Sequence, residues 1–485
     1  MLYEDAGLDT GVLAMFPSRS TYRSNLTRNS ALLSALIFCV YLCFAQGRLR
    51  QASPNNHFAY LAQSFLAGKT SLVTPPPHGN DWASYEVLTL TNRETPLKGI
   101  FIGPRPRRNR AGVFETLKGE RHRLHAQSIK ASRRLYFVSF PPLPAILMLP
   151  FVALFGLAAS DVWLTLICAA INVPLALSLF RLLTTSPEAK RADLQRPDSD
   201  LMWITVSLAL GTAHFWSAVR GEVWFTALIV GVTAQLLFLR WAWSMRRPLL
   251  AGVALAAAFS TRASLITLAI FAYYQLLFPF QVISRRLRLK RALIFSIPPL
   301  FIGLLLLWYN ESRFERWYEF GHRYLAGGQI KRIQDYGLFH SAFFFKNIIA
   351  AFLLLPLISL RPPFLTYSWH GMAIQLSSPQ LLWALRPHQQ TSSLTRPRIA
   401  LILTLCSILS LLLLYQNTGW VQYSWRFALD MIPILCCLTA LNDRPLGSWF
   451  RAAVCWGVVV NAIGAMIFGR SSALWSGVNL PLLHP

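Results

Sequence analysis

The sequence has little charge for its length. Only 14% of its 485 residues are Asp, Glu, Lys or Arg, whereas a soluble domain carries about 25%. Hydrophobic residues make up 54%, and many lie in runs of the roughly 17–25 residues that a helix needs to cross a bilayer. Because backbone polar groups in lipid must bond within their own segment, these runs are expected to be helices. The composition predicts an all-α polytopic membrane protein.

Acidic residues and cysteines are also scarce. The 20 Asp and Glu stand against 46 Lys and Arg, a net charge of +26. In a soluble protein this excess would suggest nucleic acid, but short basic loops between apolar runs are typical of cytoplasmic connections. No nucleic-acid partner is therefore predicted. All seven cysteines fall in apolar runs without metal-ligand spacing, which argues against disulfides and a zinc cluster.

One long polar stretch separates the first apolar run, which begins at Ala31, from the next, which begins at Phe137. Arginines 19, 23 and 28 precede the first run and predict a cytoplasmic N-terminus, which places this loop outside. Between Arg48 and Arg134 it has 15 Lys or Arg against five Asp or Glu. An anionic lipid surface or a phosphate-bearing substrate would suit that excess; a solvated basic insertion is the alternative.

The basic loops all fall on the cytoplasmic side only if the segment 137–157 does not cross the membrane. Pro141, Pro142, Pro144 and Pro150 interrupt it and make a continuous span costly, so a juxtamembrane helix is predicted there. About eleven spans are then predicted: 31–47, 161–184, 201–219, 222–241, 248–261, 263–280, 291–309, one crossing within 341–385, 399–415, 428–442 and 452–469. The predicted domains are a cytoplasmic tail (1–30), a transmembrane domain (31–470) including the external loop 48–160, and an external C-terminal tail (471–485).

Charged residues in the short external turns are the first candidate site residues, because a charge beside a bilayer is costly unless it is paired or binds something. Glu222 either pairs with Arg220 or directs its carboxylate at a site, directly or through a divalent metal ion. Arg262 either binds a phosphate bidentately or pairs with a neighbouring helix. Arg426 is a similar phosphate candidate, but Asp430 lies at i+4 and is a potential partner.

The external loop adds further candidates. The segment PNNHFAYLAQSFLAG predicts a short amphipathic helix, with Asn55 and Asn56 at its N-cap and His57 as a surface, capping or substrate-binding residue. In the following turn, TPPPHGNDWASYE, Asp81 is either a turn former or the carboxylate best placed to act as a base. Glu86 is the second acid of this loop.

These features resemble membrane glycosyltransferases of the GT-C fold, the group of protein O-mannosyltransferases and lipid A aminoarabinose transferases. The resemblance covers most of residues 31–440 and depends on the order of its motifs. They are YLAQSFLAG ending at Gly68, the segment from Phe140 to Gly156, Glu222, LLAGVALAAAFSTR ending at Arg262, Glu319-Phe320-Gly321, and WRFALD from Trp425 to Asp430.

The resemblance implies transfer of a sugar from a polyprenyl-phosphate donor to an unidentified acceptor at the external face of a membrane. It departs at two positions: Asn55 and Asn56 stand where the family has a catalytic aspartate, and Phe140-Pro141 replaces a Lys-Pro that contacts the donor phosphate. Asp81 or Glu86 would then supply the base, and Arg134, Arg133 or Arg262 the phosphate contact.

The resulting hypothesis assigns Asp81 and Glu222 to catalysis, and Arg262, Arg426, His57, Asn56 and Arg134 to substrate binding. The expected partners are a polyprenyl-phosphate sugar and membrane lipid, with a divalent metal ion as a candidate cofactor and no protein metal site assigned. The expected location is a bacterial inner membrane, with the active face periplasmic. A transporter or flippase, and a non-catalytic subunit that binds lipid-linked sugars, remain the alternatives.

Overall fold

The computed structural model describes residues 19–194, 196–280, 282–325, 329–387 and 393–476. The predicted tail 1–30 lies mostly outside these ranges, as does most of the tail 471–485. The described chain is mostly helical. Its helices are α1 (Arg19–Ala45), α2 (His57–Leu66), α3 (Leu143–Phe155), α4 (Asp161–Thr184), α5 (Pro187–Arg191), α6 (Asp198–Leu210), α7 (Ala213–Ala218), α8 (Glu222–Ala242), α9 (Pro248–Phe259), α10 (Ala269–Leu277), α11 (Arg285–Phe314), α12 (Gln329–Tyr336), α13 (Phe344–Ile348), α14 (Ile374–Ser377), α15 (Thr395–Leu414), α16 (Ile432–Ala440) and α17 (Ser448–Ile467).

Six helices in the described ranges are long and apolar enough to cross a membrane, judged by length and composition. They are Ser30–Arg50, Asp161–Thr184, Glu222–Met245, Arg285–Phe314, Thr395–Leu414 and Ser448–Ile467. Each overlaps a predicted span. Other predicted spans correspond to shorter elements, because the chain breaks between α6 and α7 and again after α9. Eleven crossings therefore stay a prediction.

The region 341–385 contains no helix of spanning length. Helix α13 continues as one π-helical turn to Leu353, and the chain then forms a hairpin of β6 (Leu357–Ile358) and β7 (Leu365–Ser368). Strand β8 (Trp475–Ser476) pairs with β7 in parallel. The prolines at 362 and 363 lie at the hairpin tip, where the missing N–H groups cost no helical hydrogen bond. The single crossing predicted within this region is thus not one regular helix.

The all-α prediction is wrong for the external loop, which contains a five-stranded antiparallel sheet of order β4-β3-β2-β1-β5. Aromatic and β-branched residues are frequent in the inner strand β1, WASYEVLTL, and favour a pleated, half-buried surface. This signal was missed because the loop was interpreted as turns and one helix. The strands are β1 (Trp82–Leu90), β2 (Arg93–Ile102), β3 (Gly112–Thr116), β4 (Arg121–Leu124) and β5 (Ile129–Val138).

The sheet is fixed to the end of the longest helix, α11. Tyr85 and Phe137 pack against Phe314 in a small buried cluster. Hydrogen bonds join the same elements, since Arg313 Nη1 donates to the Val138 carbonyl at 2.8 Å and the Tyr85 hydroxyl donates to the Arg313 carbonyl at 3.0 Å. The start of β1 is thereby held close to the helical bundle.

Two short helices complete this junction. The predicted amphipathic helix is present as α2, with Phe58 and Leu61 buried, although Leu66 is exposed. The segment with four prolines forms α3, whose 13 residues are too few for a bilayer span. Both helices pack against each other beside the sheet.

Candidate active site

A cavity of about 230 Å³ lies where the start of β1, the beginning of α8, the turn after α9 and the chain before α16 meet. Asp81, Arg262 and Arg426 all line it, although they are far apart in the sequence. Three of the predicted site residues are therefore brought together. Further lining residues include Trp224, Ser264, Phe320, His322, Tyr415, Gln416, Asn417 and Phe427.

Asp81 is both a turn residue and a lining residue of the cavity. It lies immediately before β1 with φ of +56°, a left-handed conformation that Asp and Asn adopt more readily than most side chains. The Trp224 indole N–H donates to its Oδ2 at 2.9 Å. This hydrogen bond fixes one carboxylate oxygen and ties the turn to α8.

His57 holds the turn that contains Asp81, but it does not line the cavity. Its ring is buried and stacks on Trp82 with centroids 3.7 Å apart. Its two nitrogens lie 3.0 Å from the Asn55 carbonyl and 3.1 Å from the Asn80 carbonyl. Burial lowers the pKa of His57 to about 4, so the ring is neutral near pH 7. A surface position is wrong for His57, and its contacts indicate that it positions Asp81.

The two asparagines at the start of α2 connect it to other elements. The predicted side-chain cap is wrong for Asn56, whose buried Nδ2 instead donates to the Ala159 carbonyl at 2.8 Å. The Asn55 carbonyl accepts a hydrogen bond from the Val223 N–H at 3.0 Å. Neither residue lines the cavity. Asn55 therefore joins the start of α2 to α8, and Asn56 joins it to the chain just before α4.

Glu222 begins α8 and forms an ion pair with Arg220 at 2.9 Å. Neither side chain lines the cavity. The Arg220 guanidinium also lies 4.3 Å from the centre of the Phe468 ring. The Glu222 backbone N–H donates to Asp161 Oδ2 at 2.6 Å, and Asp161, which the sequence did not single out, also accepts a hydrogen bond from the Ser53 hydroxyl. These contacts fix the start of α8 and, two residues later, Trp224.

We expect Glu222→Gln to lower thermal stability more than it lowers activity. Removing one partner of a largely buried ion pair leaves the Arg220 charge uncompensated, at a cost of about 3–5 kcal/mol for a fully buried pair. Thermal unfolding in detergent measures the effect. In the double variant Glu222→Gln, Arg220→Met, part of the lost melting temperature should return. Loss of activity at an unchanged melting temperature would instead support the predicted catalytic role of Glu222.

Arg262 is neutralised by an acid from another part of the chain. Its Nε and Nη2 donate to Asp430 Oδ1 and Oδ2 at 2.6 and 2.8 Å, and the Ser264 hydroxyl adds a bond of 2.7 Å to the same carboxylate. The prediction that Asp430 is the partner of Arg426 is therefore wrong. A carboxylate matches the bidentate guanidinium as a phosphate would, so Arg262 is already compensated while it lines the cavity.

Arg426 is a buried cation of this cavity that no carboxylate of the described ranges contacts, although the charge of Asp81 acts on it. Its side chain is 2% exposed, yet among the described residues it has no carboxylate partner, and its Nε has no hydrogen-bond partner. Its two other nitrogens donate to the Val421 and Trp420 carbonyls at 3.3 Å. Burial, together with the charge of Arg262, lowers the pKa of Arg426 to about 9. The charge is retained at pH 7 and would be stabilised by an anion.

Two more cations lie behind the cavity wall at Gln416. The Lys346 ammonium donates to the Gln416 carbonyl at 2.9 Å, and Arg332 Nε donates to its side-chain oxygen at 3.1 Å. Sequence patterns did not single out either cation. Their charges add to that of Arg426, whereas Arg262 is balanced by Asp430, and they make this end of the cavity positive.

His322 is a lining residue that the sequence analysis missed. Its Nδ1 is buried without a hydrogen-bond partner among the described residues, and burial lowers the pKa of its ring to about 4. His322 directly follows Glu319-Phe320-Gly321, one of the motifs of the family resemblance. That motif could have identified His322 as a candidate site residue. Asp81 and His322 are two groups of the kind that bind metal, but the described residues contain no cluster of three.

Arg134 lies on the sheet and does not line the cavity. The β1–β5 register places it opposite Glu86, and its Nη2 donates to Glu86 Oε1 at 3.0 Å. Arg105 and Ser132 bind the same carboxylate, and the hydrogen bond to Glu86 raises the pKa of Arg134. Arg134 and Glu86 therefore form an ion pair on the sheet.

An apolar groove of about 180 Å³ adjoins the cavity. Phe140, Pro141, Ala263 and Phe320 line both spaces. The far wall of the groove is formed by α11 and by Phe259 at the end of α9. Its lining includes Pro142, Phe259, Ile266, Gly303, Leu306 and Leu307. A hydrocarbon chain in this groove would lead into the charged cavity.

Comparisons with protein-family models, with curated proteins and with solved structures gave no match. The resemblance to GT-C glycosyltransferases therefore remains a prediction from the motifs. A carboxylate, a buried guanidinium and an apolar groove lie together here, and this arrangement is the structural basis on which a function can be proposed.

Proposed function

We propose that this protein is a membrane glycosyltransferase that moves a sugar from a polyprenyl-phosphate donor to an acceptor at the external face of a bacterial inner membrane. The observation that supports it most is one cavity lined by Asp81 and by Arg426, whose buried charge has no carboxylate partner in the described chain. The six long apolar helices are compatible with a membrane protein. The donor lipid, its phosphate and the attacking hydroxyl each have a chemically matched surface here.

In the proposed step, an acceptor hydroxyl oxygen attacks the anomeric carbon of the donor sugar with inversion. A carbon–oxygen bond to the acceptor forms while the bond from the anomeric carbon to the phosphate oxygen breaks. Asp81 takes the hydroxyl proton as general base. The electron pair of the broken bond stays on the polyprenyl phosphate, where Arg426 stabilises the developing charge, as preorganised donors do in a site of low polarity.

No step in this scheme uses a metal ion. The described residues offer only Asp81 and His322 at the cavity, which is short of the three protein ligands of most catalytic zinc sites. Glu222, the acid predicted to hold a metal, is paired with Arg220 outside the cavity. Its proposed part is to position α8 and hence Trp224 against Asp81.

The apolar groove is proposed to hold the prenyl chain, and Gly303 offers a way to block it. A side chain added at Gly303 meets open space, so Gly303→Leu fills the groove without disturbing α11. We expect about tenfold weaker use of a long-chain polyprenyl-phosphate sugar, since several buried CH₂ groups of about 0.8 kcal/mol each are lost. Use of a donor with a two-isoprene chain should be unchanged.

Gly47→Leu is the matched control for this prediction, because Gly47 also has open space around it and lies far from the groove. Initial rates with both donors, measured in detergent over a range of donor concentrations, give the comparison. Equal loss with long and short donors, or no loss with either, would contradict the assignment of the groove to the lipid chain.

The function itself is tested on purified protein in lipid nanodiscs, with radiolabelled polyprenyl-phosphate sugars and a membrane extract as acceptor. Transfer of label with stoichiometric release of polyprenyl phosphate is the expected result. Donor binding without release would identify a non-catalytic carrier of lipid-linked sugars. Absence of donor binding would overturn the proposal and favour the transporter alternative.

A further inference from the structure

A second cleft, of about 500 Å³, lies between the sheet and two segments of the chain, residues 318–323 and 333–338. Phe320, His322 and Leu338 line both this cleft and the cavity that contains Asp81. The two spaces are therefore neighbours with a common wall. The cleft is lined on one side by β2 and β3, whereas the apolar groove is lined by α11.

The charged groups of this cleft are already compensated. Glu115 accepts hydrogen bonds from Arg121 at 3.0 Å and from Arg323 at 2.9 Å. Glu319 accepts one from the Gly321 N–H at 2.7 Å. The charges of the two acids and two arginines that line the cleft therefore balance. The cavity that contains Asp81, by contrast, has a positive end. The surface of the cleft offers fixed donors and acceptors to a ligand but no net attraction for an anion.

Apolar and aromatic side chains form much of the remaining lining, together with Gln334. The Tyr318 side chain is 54% exposed, and Ile100, Ile102 and Ile333 face the same cleft. An exposed aromatic ring beside hydrogen-bonding side chains is suited to ligands that have apolar C–H faces and polar edges. Pyranose rings have this character, since their hydroxyls project from an edge around an apolar face.

We infer that this cleft binds the acceptor, and that the acceptor is a neutral saccharide whose hydroxyl reaches Asp81 past His322. The transfer part of this inference rests on the proposed function, whereas saccharide binding does not. Tyr318 stacks against the sugar ring, and the Glu115–Arg323 pair accepts from and donates to its hydroxyls. The donor phosphate lies at Arg426, so the two substrates approach the anomeric carbon from different spaces.

Binding is tested by saturation-transfer NMR on the full chain in nanodiscs, without donor. The probes are maltotriose, cellotriose and chitotriose, with trigalacturonate as the anionic comparison. We expect at least one neutral trisaccharide to bind and the trianion to bind more weakly. Tyr318→Ala should weaken binding at least about tenfold, the loss of one aromatic contact and its buried area, whereas Tyr318→Phe keeps the ring and should bind nearly as well.

Tyr336→Ala is the matched control, because Tyr336 is also exposed and lies in the same segment but does not line the cleft. Equal binding by Tyr318→Ala, stronger binding of trigalacturonate, or no binding of any neutral trisaccharide would overturn the inference. Polyprenyl phosphate release in the presence of water alone is measured in parallel. If the donor is cleaved while no saccharide binds, the proposed function stands and the cleft assignment fails. If a saccharide binds while the donor is not cleaved, the saccharide-binding assignment stands and the proposed function fails.

Discussion

Asp81→Asn is expected to lower sugar transfer about 1,000-fold while the protein stays folded. A positioned general base contributes about 10²- to 10⁴-fold to rate, and an amide cannot accept the proton. The substitution keeps the shape of the side chain, and Asn adopts φ of +56° at least as readily as Asp. Its amide oxygen can still accept the hydrogen bond that Trp224 donates to Oδ2. Initial rates of transfer and the melting temperature are the two measurements.

Asp335→Asn is the control for this variant, since it makes the same chemical change at an exposed acid of α12 that does not line the cavity. Its transfer rate should equal that of the unchanged protein. Donor binding by Asp81→Asn should also persist, because the phosphate contact is assigned to Arg426. A transfer rate within threefold of the control would remove Asp81 as the base and direct attention to His322, which lines the same cavity.

Asp81, Arg262 and Arg426 were predicted as site residues because each lies in a loop or turn that was expected to be external, and all three line one cavity. Charged residues in short apolar hairpins are costly unless they are satisfied, and that cost is visible in the sequence. The partner of each charge is not visible there. Asp430 lies four residues from Arg426 but binds Arg262, because helix spacing predicts contacts only within a regular helix, whereas residues 426–430 form a 3-10 turn.

The sheet shows a second limit of the sequence. Spans such as 161–184 are marked by their long uniform hydropathy, and α4 has those bounds. The strands of the external loop have 4 to 10 residues, of which many are basic, and they bury only small clusters such as that of Leu88, Leu97 and Phe114. A half-buried strand depends on its partners for stability. Its pattern was therefore weak beside the helical signals on either side.

His57 and Asn56 illustrate why roles were harder to predict than positions. Both lie at the start of α2, as expected, and both are buried. Asn56 donates to the Ala159 carbonyl, and the two ring nitrogens of His57 lie near the Asn55 and Asn80 carbonyls, to one of which the neutral ring donates. The contacts at positions 80 and 159 depend on how α2 packs against distant parts of the chain. The same residue types at an exposed helix start would have been capping or surface residues.

Arg426→Met is expected to lower transfer at least about 100-fold without lowering the melting temperature. Loss of one group that stabilises developing negative charge costs about 10²- to 10³-fold in rate. The Arg426 guanidinium is packed over the Phe225 and Phe427 rings at 5.2 and 5.6 Å, and methionine keeps much of that packing. Replacing a buried charge by an apolar side chain is often neutral or stabilising.

Arg262→Met should give the opposite pattern, although Arg262 lines the same cavity. It leaves Asp430, which is 0% exposed, without its bidentate partner, and the cost of an uncompensated buried charge is about 3–5 kcal/mol. Its melting temperature should therefore fall well below that of Arg426→Met. Retention of stability by Arg426→Met, together with weaker binding of inorganic pyrophosphate or donor, would show that the buried charge is kept for a ligand. If both variants lose stability equally and Arg426→Met still binds the donor, Arg426 is structural and the phosphate must bind elsewhere.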